Sequence, residues 1–146
     1  MSDFRRLSES VFASPQIGVE DIDVARTLGV RLVVNNRPEG ESADQTDGSA
    51  IEAAARAAGM DYRAIPVDMT GLSEEQIAAM SAALSGARGK VLAYCRSGTR
   101  STLLWALAQA SAGRPVEEIA GAAAAAGYDV TPVRAGLEML AARARG

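Results

Sequence analysis

The sequence predicts an α/β fold in which a central, mainly parallel sheet is flanked by helices. Three observations lead there. Short apolar runs ("VRLVVNN", "DYRAIPV", "KVLAY") alternate with longer stretches of helical apolar spacing. Turn-forming residues and helix caps separate them. Strands that alternate with helices pair in parallel, because each crossover helix packs back onto the sheet. No internal repeat or linker divides the 146 residues, so the expectation is one domain over residues 1–146.

The elements follow in order. Residues 4 to 17 are irregular, with β-like pieces around Phe4–Leu7 and Val11–Ala13 before Pro15. "VEDIDVARTL", residues 19 to 28, sets Val19, Ile22, Ala25 and Leu28 at near-helical spacing, and Gly29 stops it. The buried strand "VRLVVNN" runs into the polar loop "RPEGESADQTDG". Ser49 and Glu52 have the spacing of a capping box for a helix ending at Gly59. "DYRAIPV" is a strand, and Pro66 marks either its end or an edge position. Ser73 and Gln76 form a second capping box for "SEEQIAAMSAALS". "KVLAY" is the next strand, and "STLLWALAQASA" is helical up to Gly113. Two helices close the chain: "PVEEIAGAAAAA", and "PVRAGLEMLAARA" with Thr131 as cap and Pro132 first.

Composition excludes several chemistries. There is no histidine, so Ser-His-Asp and Cys-His catalysis and the commonest transition-metal sites are ruled out. A net charge of -3 gives no basic surface for nucleic acid, and no apolar run is long enough for a membrane span. "MSDFRRLSESVF" has no apolar core or cleavage site, so no signal peptide is expected. The single cysteine cannot form an internal disulfide, which fits a reducing, cytoplasmic setting.

That cysteine ends a strand in "KVLAYCRSGTRSTLLWALAQA". Ligands of open parallel sheets bind at the carboxyl ends of strands, where Cys95, Asn35–Arg37 and Asp68 are all expected. Four residues (Arg96, Ser97, Gly98 and Thr99) separate Cys95 from Arg100, and Ser101 opens the expected helix. A loop this short ahead of a helix can turn successive amides inward as an anion nest, with Gly98 supplying the backbone freedom. Arg100 can fold back as a bidentate fork for anionic oxygens, and the same field favours a thiolate at Cys95. Ser101 can donate to the departing sulfur. The competing reading is a core thiol at a strand end, but Arg, Ser, Gly, Thr, Arg and Ser are poor core residues.

The loop "VLAYCRSGTRS" resembles those of cysteine-dependent phosphatases and of rhodanese-type sulfurtransferases. Together with "SPQIGVEDIDVARTLGVRLVVNNRPEGE", "YRAIPVD" and "AAAAGYDV", it resembles the phosphatase-like domain of β-lactamase-hydrolase-like proteins, also labelled a sulfur transferase family. That resemblance covers about residues 11 to 130 and implies a dual-specificity-phosphatase-like fold. It also implies a small anionic substrate, a phosphate ester or a sulfur donor, with no metal or organic cofactor. No partner enzyme can be read from it.

By that resemblance Asp68, 27 residues before Cys95, takes the place of the general acid; the alternative is a loop aspartate before Thr70 and Gly71. Two departures favour sulfur chemistry. Such phosphatases have five residues between cysteine and arginine, and a histidine where Tyr94 stands. The order of elements and the Asp68 position favour a phosphatase-like hydrolase working through a phosphocysteine. A persulfide-carrying sulfurtransferase and a non-catalytic anion-binding or redox-sensing module remain as alternatives. Arg37, with Asn35 and Asn36, either lines the pocket or stabilises its loop. Trp105 and Leu103, Leu104 and Leu107 read as core.

Overall fold

In the computed structural model, which describes residues 2–68 and 72–146, five strands form one sheet in the order β1–β2–β5–β3–β4. The strands are β1 (Arg5–Arg6), β2 (Val11–Ser14), β3 (Val30–Asn35), β4 (Asp61–Ala64) and β5 (Lys90–Tyr94). Only β1 runs antiparallel to its neighbour. The helices are α1 (Asp21–Thr27), α2 (Gly48–Ala57), α3 (Glu74–Gly86), α4 (Thr99–Ser111), α5 (Val116–Ala125) and α6 (Arg134–Arg145). The expected mainly parallel α/β architecture is the one observed.

Alternation along the strands divides the core into two layers. Val91 and Ala93 of β5 join Val34, Leu104, Trp105 and Leu137 on the side of α3 to α6. Leu92 and Tyr94 face the other way, with Ile22, Ile51 and Tyr62, on the side of α1 and α2. The central strand β5 therefore delivers Cys95 to the middle of the sheet's carboxyl edge, between β2 and β3.

Several boundaries differ from expectation. The Ser73–Gln76 capping box forms, but no side-chain cap forms at the start of α2. There Glu39 Oε1 accepts from the Gly48 N–H at 2.8 Å, doing from the loop what Ser49 was expected to do. Glu52 pairs with Arg56 instead. Thr131 does not cap the last helix. Its N–H and hydroxyl both donate to Asp129 Oδ1, and a 3-10 turn over Thr131–Val133 precedes α6. β4 stops at Ala64, yet the Ile65 and Val67 amides still donate to the Asn35 and Asn36 carbonyls, both at 2.9 Å. This continuation carries the chain to Asp68. Thr70 and Gly71 lie outside the described residues.

Candidate active site

Cys95 leaves β5 with its N–H donating to Ser14 O at 3.3 Å. The loop then turns back, and the Gly98 N–H donates to Cys95 Sγ at 3.1 Å. Gly98 takes φ 93°, the left-handed region that glycine enters without strain. It also meets a steric limit: a Cβ there would run into the Tyr128 hydroxyl and the Ser14 backbone. Helix α4 begins at Thr99, two residues earlier than expected, with its first backbone bond from Thr102 N–H to Gly98 O. The amides of Thr99, Arg100 and Ser101 thus have no acceptor within the helix, and the positive end of its dipole lies at the loop.

The thiol is fully buried, as a core cysteine would be, but it belongs to neither hydrophobic cluster. Its neighbours are polar. The Arg100 guanidinium lies near the thiol, and its charge is held more firmly than usual by its bonds to Glu41 first, with burial opposing and the proximity of Cys95 adding. Tyr128 donates from its hydroxyl to Ser97 O at 3.0 Å, pinning the loop from the far side. Burial raises the pKa of that phenol, Arg5 works against the rise, and proximity to Cys95 adds to it. Arg5 lies 5.2 Å from its ring centroid.

Glu41, in the loop between β3 and α2, is the residue that sequence reasoning left without a role. It accepts from Arg100 Nη1 at 2.7 Å and Nη2 at 2.9 Å, and from Arg37 Nε at 3.0 Å. Its carboxyl is lowered to about 2, by the bonds from Arg100 first, against the opposing effect of burial, with Arg37 adding a smaller lowering. Arg100 Nη1 also donates to Val67 O at 2.7 Å, tying α4 to the segment that ends at Asp68.

The structure sorts the remaining candidates. Asp68 is exposed and directly follows Val67, beside Arg100. Arg96, Ser97 and Thr99 sit on the exposed side of the loop, where the Ser97 hydroxyl bonds Thr99 Oγ1 and accepts from the Thr99 N–H. Arg37 and Asn36 are buried behind the loop. Arg37 bonds Gln16, Glu41 and Ser42, and Asn36 Nδ2 donates to Ile65 O, so their donors build the wall behind the pocket. Ser101 is fully buried, and its hydroxyl donates to Asn36 Oδ1 at 2.7 Å rather than to the sulfur. Leu104, Trp105 and Leu107 are core, whereas Leu103 is only half-buried.

A mainly parallel sheet that carries a cysteine–arginine loop into a helix N-terminus places the chain in the class of phosphatase-like α/β domains. Within that class the chain belongs to a family described as "Beta-lactamase hydrolase-like protein, phosphatase-like domain", whose model matches residues 3–112. It is 39% identical over 112 residues to the beta-lactamase hydrolase-like protein of Xylella fastidiosa, covering 76% of this chain and 26% of that protein. The chain thus spans about a quarter of the curated relatives' length. A crystal structure of a candidate phosphatase from Neisseria meningitidis superposes with a TM-score of 0.83 at 32% identity, covering 94% of this chain and 98% of the other. PTPMT1, at 19% identity, shares the fold with a TM-score of 0.71 over 97% of this chain and 98% of the other.

Proposed function

We propose that this domain hydrolyses phosphomonoesters through a phosphocysteine on Cys95. The observation that carries the proposal is the Gly98 N–H aimed at Sγ, with the Arg100 guanidinium close by at the start of α4. A thiol in a core needs neither. The nucleophile is the sulfur in its ionised form.

Glu41 and Val67 engage both Nη1 protons and one Nη2 proton of Arg100. The Nε–H and the second Nη2–H then form a side-on fork for two phosphoryl oxygens. A phosphoryl group reaches the buried sulfur with that fork turned onto its oxygens. The thiolate attacks phosphorus, the P–O bond to the alcohol breaks, and Asp68 gives that oxygen a proton. Asp68, now ionised, takes a proton from water. The resulting hydroxide attacks phosphorus, the S–P bond breaks, and inorganic phosphate and the thiolate are released. Ser101 can stabilise that thiolate by turning its hydroxyl from Asn36 to the sulfur.

The four-residue spacing between Cys95 and Arg100 favours a second reading. Here the thiolate attacks the outer sulfur of thiosulfate, sulfite leaves, and the persulfide gives its sulfur to cyanide, regenerating the thiolate. An assay of both reactions on one preparation decides. Aryl phosphate hydrolysis that Cys95→Ser abolishes supports the first reading; thiocyanate formation without phosphatase turnover replaces it with the second. Neither turnover, with an oxyanion bound, leaves only a binding module.

A further inference from the structure

An apolar trough of about 510 Å³ starts at Arg100 and Asp68 and runs between α3, α4 and α6. Its walls are Leu72, Ile77, Leu103, Leu107, Val133 and Met139, with no aromatic ring among the described lining residues. A second hollow of about 190 Å³ shares Glu74, Ile77 and Leu140 with it, extending the depression along α3 and α6. Glu74 and Arg143 lie 3.6 Å apart at its rim, where the apolar lining ends. Met139 is 54% exposed, one of few large apolar side chains left in water.

We infer that this trough receives the alcohol portion of the substrate, and that this portion is a flexible aliphatic chain. The inference rests on the phosphomonoesterase reading and gives that reading its substrate class. With the phosphoryl group held at the Cys95 loop and Asp68 over the leaving oxygen, the ester's carbon chain continues past Arg100 and Asp68. There it meets branched aliphatic side chains and an adaptable methionine, a surface that follows a bending chain. A flat ring would find no stacking partner. The charged rim sets a limit to useful chain length.

The test is calorimetric titration of the full chain with methyl-, butyl-, hexyl- and octylphosphonate, run beside turnover of an aryl phosphate. Affinity should rise about two- to fourfold per added methylene, then level off as the chain reaches the Glu74–Arg143 rim. Met139→Glu, at an exposed position that spares the core, should flatten the series, while Met139→Leu keeps it. Equal affinity across the series, absence of binding, or a slope that Met139→Glu leaves intact would overturn the inference. So would a concentration-dependent dimer that Met139→Glu dissolves, which would give the trough to a second copy of the chain. A chain-length slope without aryl phosphate turnover would remove the phosphatase reading instead and leave the trough as an alkyl-anion site.

Discussion

The carboxylate of Glu41 meets the Arg100 guanidinium end-on, with both oxygens in hydrogen bonds of 2.7 and 2.9 Å. The two side chains are 59 residues apart in sequence and only a fifth to a quarter exposed. This contact fixes which edge of the arginine is left for a ligand. Glu41→Gln keeps the shape and loses the charge. It should lower kcat/KM for aryl phosphates by about tenfold, chiefly through KM, because Arg100 loses its aim. An unchanged KM would show that Arg100 orients itself without it.

The same pair makes stability depend on pH. Glu41 has a folded-state pKa of about 2, below the ordinary carboxylate value, so its contribution is full above about pH 4.5 and is lost as pH falls through 2. After allowance for solvent screening it amounts to about 1–2 kcal/mol at neutral pH. Denaturation of wild type and Glu41→Gln should therefore differ most at pH 6–7 and converge near pH 2. A gap that stays constant would mean that the charge of Glu41 contributes nothing to stability.

Gly98→Ala forces a Cβ into a left-handed backbone and into the Tyr128 hydroxyl. It should cost about 2 kcal/mol or more in stability and reshape the loop enough to remove turnover. Tyr128→Phe loses only the bond to Ser97 O and should cost about 1 kcal/mol. Urea melts of the two variants check the order of these effects.

Asp68→Asn should slow hydrolysis of alkyl phosphates by about 100-fold or more and of aryl phosphates with good leaving groups far less. Equal losses on both would assign Asp68 to binding rather than proton transfer.

Much of this site was legible in local patterns. The strand–cysteine–loop–helix order of residues 90 to 111, and the capping box at Ser73, follow from spacing alone. What spacing conceals is which distant groups meet. Glu41 lies in a loop of turn-forming residues, and only the fold sets it against Arg37 and Arg100. Glu39 replaces the expected Ser49 cap for the same reason. Asn36 and Arg37 showed their polarity but not their direction. The packing of β3 beside β5 turns them behind the loop, where Asn36 takes the Ser101 hydroxyl. Tyr128 was visible in "AAAAGYDV", but its contact with the loop needs the chain after α5 to return across the sheet edge.

The central claim is covalent and can be weighed directly. Wild-type protein mixed with aryl phosphate, quenched in acid within one turnover and examined by intact and peptide mass spectrometry, should carry one phosphoryl group on Cys95. Cys95→Ser should neither carry it nor release phenol. A wild-type thiol that stays unmodified while phenol accumulates, or that takes up only a sulfur atom from thiosulfate, would contradict the account.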